Sequence, residues 1–448
     1  MSAEQRERVW IALVIGIPVL FLVLFVGYLL FWRDSLGACP PNCRGAIFLG
    51  QDLRDRDFSG ADLGEANLKD ADLSGAHFAG ADLWFANLEN ATLHTADLSN
   101  AYLRGANFRE SSLRDADLRG ADAAGARFDR ADLTGAHLAG TDLTGADLDG
   151  AILHATRIDA TTTVADKWRV VWRIINEPAA GQELRKADLS GANLQGVTLT
   201  DADLTDANLT DAQLQGADLS GAILDGARLQ SAAIDATTQL DEKWQVVYRL
   251  ANEIAKDQAA PGADLSRSNL ARAYLYGADL RAADLADAHL PEANLRYADL
   301  SQATLTAANL AGSSLRWANV TGADLRGANL AETDLSWVRW QDAILDDTTV
   351  VADRFRTAWR VVDGHISPTE LGDLNLAWAN LSGLDLTGAN LRGTDLRAAD
   401  LTGAMLADAD LTGAILDDAI LTGADFSNAV LDGTSLERAQ IDGAIGLN

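Results

Sequence analysis

Residues 61–75 read ADLGEANLKDADLSG, in which a leucine returns at every fifth position. Alanine stands two residues before each of these leucines, and Asp or Asn stands one residue before it. A period of five fits neither an α-helix nor a β-strand, because either would scatter the leucines over several faces. The chain must therefore turn once in every repeat, so that each leucine and each alanine can point into a common core.

The phenylalanines indicate how many repeats close one coil. Phe48, Phe108 and Phe128 are separated by multiples of twenty residues, and so are Phe58 and Phe78. The two sets are offset by ten, which predicts a four-sided coil with the two sets on opposite sides. Successive coils would pair through backbone hydrogen bonds at a spacing of about 4.8 Å, and the polar residues between the inward ones would face water.

This A(D/N)LxG pattern resembles the bacterial pentapeptide-repeat family. The resemblance extends over roughly three quarters of the chain. It implies an all-β solenoid, namely a right-handed quadrilateral β-helix built from pentapeptide repeats.

The repeats form four blocks, which three inserts separate. The resulting division of the chain is an N-terminal tail at 1–8, a transmembrane helix at 9–32, a juxtamembrane linker at 33–45, block 1 at 46–160, insert 1 at 161–181, block 2 at 182–236, insert 2 at 237–260, block 3 at 261–347, insert 3 at 348–368 and block 4 at 369–448.

The three inserts share one pattern, in which a Thr-Thr pair precedes apolar residues at helical spacing. The predicted apolar stripes are Val164, Trp168, Val171, Trp172 and Ile175 in insert 1, Leu240, Trp244, Val247, Tyr248 and Ala251 in insert 2, and Val351, Phe355, Ala358, Trp359 and Val362 in insert 3. Each insert therefore predicts a short amphipathic α-helix of about thirteen residues, with the preceding threonines available as N-caps.

Two roles are open to these helices. A stacked coil ends in an exposed cross-section of leucine, and an aromatic helix laid across it would remove that surface from water. We favour this capping role, carried by Trp168, Trp172, Trp244, Tyr248, Phe355 and Trp359. The alternative is that the helices project from the solenoid as partner-binding elements, since tryptophans also concentrate in interface hot spots.

The apolar run at 9–32 carries no charged residue and is long enough to cross a hydrocarbon core of about 30 Å. Arg6 and Arg8 precede it while Arg33 and Arg44 follow it, so the positive-inside rule leaves both orientations open. We favour a single-pass protein whose soluble domain is extracytoplasmic. Cys39 and Cys43, the only two cysteines, would form a disulfide on an oxidising side or stay as free thiols on a reducing one.

The composition argues against several classes of function. A formal net charge of −29 in 448 residues opposes direct nucleic-acid binding, which needs clustered Lys and Arg. The six histidines stand mostly at outward repeat positions, and Asp recurs as part of the repeat itself. We therefore assign no catalytic, cofactor-binding or metal-binding residue and expect no enzymatic activity and no cofactor.

One outward set of residues is unexpected in a plain repeat. Tyr297, Trp317 and Trp337 are spaced by twenty, so successive coils would place them in one row beside Arg296 and Arg316. Aromatic rings together with arginine are typical of a binding surface, although a neighbouring block could instead cover the row. We take these five residues as the candidate partner-binding site.

Two functions are consistent with this organisation. The first is a membrane-anchored, non-enzymatic scaffold that displays an acidic β-helical surface to an unidentified protein partner, with homo-oligomerisation left open. The second follows from the resemblance, because some pentapeptide-repeat proteins mimic DNA, bind a type II topoisomerase and modulate quinolone susceptibility. The membrane span and the three inserts depart from the continuous rod of those proteins, and we therefore favour the scaffold.

Overall fold

The structure is a computed structural model, and it describes residues 39–177, 180–254 and 258–447. The predicted transmembrane helix at 9–32 lies outside these residues. Within the described ranges, no helix is both long enough and apolar enough to cross a bilayer.

The described chain is a stack of four-sided coils, as the repeat predicts. Each side of a coil contributes one residue to a parallel bridge with the residue twenty positions later, as in Asn42↔Asp62 and Asp62↔Asp82. Two hydrogen bonds support each bridge: Leu63 N donates to Asp82 O at 2.6 Å, and Asp82 N donates to Ala61 O at 2.9 Å. No strand in the described ranges is longer than such a bridge, because the chain turns after every repeat.

The core consists of the inward leucines, phenylalanines and alanines. Leu63 and Ala66, for example, have no exposed surface. Phe58 stacks on Phe78 with ring centroids 5.2 Å apart, and Phe108 stacks on Phe128 at 4.9 Å. These contacts confirm four repeats in each coil.

The three inserts are helical, as predicted, but each helix is shorter than expected. Helix α1 is Asp166–Asn176, α2 is Glu242–Asn252 and α3 is Asp353–Val362, and a 3-10 helix follows at Pro368–Glu370. The last buried residues are Ile174, Leu250 and Val361. The prediction of Ile175, Ala251 and Val362 at these positions is wrong by one residue, because the buried side chains follow a spacing of three.

The prediction that threonines cap the helix N-termini is also wrong. The N-cap residues are Ala165, Asp241 and Ala352, and none makes a side-chain capping hydrogen bond. The threonines belong instead to an Asp-x-Thr-Thr turn, found at 159–162, 235–238 and 346–349. This turn contains one residue more than an ordinary repeat. The last bridge of each of blocks 1 to 3 therefore joins residues one position further apart than the usual twenty, as in Asp142↔Thr163.

The Asp-x-Thr-Thr turn is held by the hydroxyl groups of both threonines. Thr348 Oγ1 donates to Asp346 Oδ1 at 2.6 Å, and Thr349 Oγ1 reaches Leu325 O in the coil below at 2.9 Å. The pKa of Asp346 falls from 3.8 to about 2, first because the Thr348 hydroxyl donates to its carboxylate, with further donation from the backbone N–H groups of Gly327 and Thr348. The buried threonine occupies the inward position that alanine fills in an ordinary repeat.

Each helix interrupts the stack without ending it. Gly150 N donates to Gly191 O at 2.7 Å, and Gly226 N donates to Arg267 O at 2.7 Å. The third joint is the 2.9 Å bond from Trp337 N to Trp378 O. In each case both partners occupy the positive-φ corner of their repeats, one before the insert and the other after it. Consecutive blocks thus continue the ladder on one side of the coil, while the helix covers another part of the coil end.

The chain divides into two compact units. The first comprises Met1–Ala179, Leu189–Thr198 and Ala212–Ala217, and the second comprises Ala180–Asp188, Leu199–Asp211 and Asp218–Asn448. The first unit contains α1 and a disulfide between Cys39 and Cys43. The second contains α2 and α3.

Candidate functional site: an aromatic and arginine column

The aromatic residues of the helices lie against the coil ends. In α1, Trp168 and Trp172 line one small cavity together with Leu138, Leu143, Leu148 and Leu153, the inward residues of the last coil of block 1. Trp168, Trp244 and Phe355 are buried. A capping role would require burial of this kind, and that role stays a prediction.

The second aromatic residue of each helix also satisfies a backbone carbonyl. Trp172 Nε1 donates to Thr156 O at 2.7 Å, Tyr248 Oη donates to Ala232 O at 2.8 Å and Trp359 Nε1 donates to Ala343 O at 2.8 Å. In an ordinary coil the equivalent carbonyl accepts an N–H from the coil above, as Ala136 O does from Arg157 N. The helix thus supplies the donors that the interrupted ladder lacks.

The residues predicted as a binding row do come together. Tyr297 stacks over Trp317 with centroids 6.5 Å apart, and Trp317 stacks on Trp337 at 4.7 Å with an interplanar angle of 11°. Tyr276 extends the row at one end, 5.3 Å from Tyr297, and Trp378 extends it at the other, 5.0 Å from Trp337. We call these five residues the aromatic column.

Sequence reasoning missed Tyr276 and Trp378 for different reasons. Trp378 follows insert 3 and joins the column because Trp337 N bonds to Trp378 O at the third joint. When insert 3 is left out of the interval between Trp337 and Trp378, the remaining spacing is that of one coil, so the sequence did contain this signal. Tyr276 stands one position earlier in its repeat than Tyr297, so a strict search at the coil period passes over it.

Of the two predicted arginines, Arg316 packs against the rings of the column. The Arg316 guanidinium carbon lies 4.6 Å from the centroid of Trp337 and 5.8 Å from that of Trp378, which is cation–π range. Its Nε lies 3.4 Å from Asp334 Oδ2. Arg296 Nε is buried and has no hydrogen-bond partner within the described ranges.

The repeat corner, which has a positive φ throughout the solenoid, imposes an unusual backbone conformation on these bulky residues. Tyr297, Trp317, Trp337 and Trp378 have φ angles of 61°, 62°, 58° and 66°, in the left-handed region that favours glycine. Glycine occupies the same corner in many other repeats, for example Gly322 with φ of 66°. Each such aromatic costs on the order of 1 kcal/mol relative to glycine. Stacking between rings contributes about 0.5–1.5 kcal/mol for each pair, so the column can offset its own strain.

Tyr297, Trp317 and Trp337 lie nearly parallel and present ring edges to their surroundings, whereas Tyr276 and Trp378 are inclined to their neighbours by 53° and 66°. Tyr297 keeps 47% of its surface exposed, while Trp317, Trp337 and Trp378 are half-buried. Trp337 Nε1 is already used, since it donates to Ala398 O at 2.8 Å. The remaining chemistry is that of a contact surface, with positively polarised ring edges and a guanidinium beside them. In the described ranges, no group of His, Cys, Asp and Glu could hold a metal ion.

Comparison with known protein families identifies the repeat. The profile described as Pentapeptide repeats matches residues 57–94, 96–161, 187–235, 260–347 and 379–445, more than half of the chain. No curated protein matches it.

Several solved structures are similar. HetL, a pentapeptide repeat protein involved in heterocyst differentiation regulation from the cyanobacterium Nostoc, is 20% identical, with 92% of this chain and 94% of that chain covered and a TM-score of 0.20. A pentapeptide repeat protein of the Arabidopsis thaliana thylakoid lumen is 31% identical, with coverages of 29% and 78% and a TM-score of 0.20. QnrB1, a plasmid-mediated fluoroquinolone resistance protein, is 14% identical, with coverages of 72% and 99% and a TM-score of 0.16.

The TM-scores of these three structures are low, so none of them carries an argument about the function of this chain. The family match and the bridges between residues twenty positions apart agree with each other. The chain belongs to the pentapeptide-repeat family, and its fold is the right-handed β-helix solenoid that this membership implies.

Proposed function

We propose that the protein is a membrane-anchored, non-enzymatic scaffold that binds a protein partner through the aromatic column. The observation that carries this proposal is the 4.7 Å stack of Trp317 on Trp337 with Arg316 against it, at half-buried positions of the coil surface.

The dimensions of the aromatic column suit an extended peptide segment. From Tyr276 to Trp378 the column crosses four coil steps of about 4.8 Å, or about 19 Å in all. An extended chain covers that length with about six residues at about 3.3 Å each. Aromatic residues and arginine are also the types enriched in the cores of protein interfaces.

Charge would contribute to the selection of the partner. The chain carries a net charge of −29, whereas the column has Arg296 and Arg316 beside its rings. A partner with carboxylates facing these arginines and basic residues at its flanks would match both features. Such complementarity raises the association rate and excludes partners of the wrong charge pattern.

Site-specific photocrosslinking in native membranes tests this proposal. A photoreactive amino acid at Tyr297 should give a discrete protein adduct, whereas the same group at Ala307 should give none. Ala307 is a matched control, because it is an exposed corner residue with φ of 56° in the same part of block 3 but ten residues away, on the opposite side of the coil.

A double variant, Trp317→Gly with Trp337→Gly, separates binding from folding. Glycine suits the left-handed corner, so we expect the far-UV circular dichroism to be retained and the Tyr297 adduct to be lost. Equal adducts at Tyr297 and Ala307, or an adduct that survives the double variant, would contradict binding through the column.

The membrane part of the proposal is supported by the uncharged run at 9–32 and by the disulfide between Cys39 and Cys43, because disulfides persist on oxidising sides of membranes. Treatment of intact cells with an impermeant thiol reagent tests the extracytoplasmic placement. We expect labelling only after mild reduction of the intact cells. Labelling that requires lysis would place the solenoid in the cytoplasm.

A further inference from the structure

A second aromatic cluster lies in the first unit, outside the aromatic column. Trp84, Phe85 and Tyr102 expose 42%, 57% and 59% of their surfaces. Together with Tyr297 they are the exposed large aromatic residues of the described ranges. Trp84 and Phe85 touch edge to face, with ring centroids 4.6 Å apart. Tyr102 forms a backbone bridge with Asp82 and so lies one coil further on, on the same side of the solenoid. We call these three residues the proximal patch.

Residues of other coils pack against two rings of the proximal patch. Phe85 has φ of 51° and its ring lies over Gly105, where an added Cβ atom would stand 2.5 Å from Phe85 Cε1. Arg44 packs on the other ring, with its guanidinium carbon 5.7 Å from the Trp84 centroid. The rings of Trp84 and Phe85 are therefore held in an exposed position.

The proximal patch lies close to the start of the solenoid. Three successive bridges, Asn42↔Asp62, Asp62↔Asp82 and Asp82↔Tyr102, connect Tyr102 to the first described coil. Tyr102 thus lies about 14 Å from that coil, at about 4.8 Å for each step. Residues 33–38 alone separate the apolar run at 9–32 from Cys39, and six residues span at most about 20 Å. Ile47 and Leu49, on the adjacent side of the first coil, are also exposed.

We infer that the proximal patch docks onto the lipid–water interface of the membrane that the apolar run crosses. This inference rests on the proposed membrane anchor. Trp and Tyr prefer this interface because their rings are apolar while their tips can hydrogen-bond to headgroups and water. A short tether keeps the patch within reach of the surface, so that a weak interfacial affinity is sufficient for contact.

Charge determines which lipids the patch prefers. Arg44 pairs with Glu65 at 2.7 Å and Arg104 pairs with Asp122 at 2.6 Å, so a carboxylate already balances the charge of each arginine. Asp62 and Asp82 lie on the same side of the coil. The patch therefore docks through its rings on zwitterionic lipid, and anionic lipid weakens docking by repulsion.

Spin labels on the full chain, reconstituted in phosphatidylcholine vesicles, test the inference. One label replaces Glu65 and the other replaces Asp55, two exposed acidic corner residues with φ of 60° and 56°. They stand ten residues apart, so that Glu65 is on the side of the patch and Asp55 is on the opposite side. The disulfide keeps Cys39 and Cys43 from reacting with the label.

We expect the label at position 65 to lose collisions with a water-soluble nickel complex and to gain collisions with oxygen, relative to the label at 55. The variant Trp84→Ser with Phe85→Gly and Tyr102→Ser should abolish this difference. Equal, water-like behaviour of both labels would overturn the inference, as would a difference that the triple variant leaves unchanged.

Alkaline extraction of the same vesicles distinguishes the inference from the anchor on which it rests. Protein that stays in the membrane pellet while both labels behave as in water retains the anchor and refutes docking. Protein that is released by alkali refutes the anchor, and the docking inference is then overturned with it.

Discussion

The hydroxyl of Tyr248 offers a test of whether the insert helices complete the interrupted ladder. It donates to Ala232 O at 2.8 Å, and Ala232 is only 3% exposed. Tyr248→Phe keeps the ring and removes the donor, so a buried carbonyl loses its partner. An unsatisfied buried group of this kind costs about 1–2 kcal/mol. This corresponds to a change of roughly 5- to 30-fold in the opening equilibrium of the helix.

Hydrogen exchange measured by mass spectrometry on peptides that cover 240–254 reports this opening directly. We expect faster exchange across α2 in Tyr248→Phe and no change in peptides of block 4. The matched control is Tyr102→Phe, the same chemical change on an exposed residue whose hydroxyl has no hydrogen bond in the described ranges. Acceleration of less than about twofold, well under 1 kcal/mol, would refute the view that this helix replaces the missing donors.

Three further predictions concern the turns and the column. Thr162→Val should destabilise block 1 by about 1–3 kcal/mol in urea unfolding, because its buried hydroxyl donates to Leu138 O, whereas the exposed Thr161→Val should cost less. Folding lowers the pKa of Asp346 from 3.8 to about 2, so the stabilisation from its carboxylate is complete above about pH 5 and is lost as the pH falls through about 2. Asp346→Asn should therefore reduce the loss of folding stability that urea unfolding measures between about pH 5 and pH 2. Trp317→Gly should lower the free energy of unfolding by about 0–2 kcal/mol, because relief of about 1 kcal/mol at the strained corner offsets only part of two lost stacking contacts of about 0.5–1.5 kcal/mol each. Near-UV circular dichroism should fall, and a loss of more than about 3 kcal/mol would contradict this balance.

The repeat itself was predictable because its physical cause is local. A leucine every fifth residue requires a turn in every repeat, and the spacing of Phe58 and Phe78 gives the number of sides. The three helices were predictable for the same reason, since their aromatic residues follow a different period. The boundaries were less accurate: the sequence pattern includes Ile175, but the structure buries Ile174, because the coil end beneath the helix selects the contact.

The candidate binding site was predicted only where it follows the repeat. Tyr297, Trp317 and Trp337 share one corner position, so their alignment follows from coil geometry. Trp378 shares the same corner position once insert 3 is left out of the count, but the sequence alone does not show that the ladder resumes directly across the insert. Likewise, Phe85 and Tyr102 stand at different positions of their repeats, and their proximity on one side of the coil follows from the stacking of adjacent coils.

The amino-acid sequence by itself determined the coil, its four sides, its apolar axis and the existence of three interrupting helices, because each follows from a periodicity that a short segment already contains. The tertiary structure decided how the ladder resumes after every insert, as in the bond from Gly150 N to Gly191 O. It also decided that the helices donate to carbonyls of the coil end, as Trp172 does to Thr156 O, and that the aromatic column extends to Trp378. These features depend on hydrogen bonds between residues far apart in the chain, whose partners are fixed by the packing of whole coils and not by any local preference of the chain.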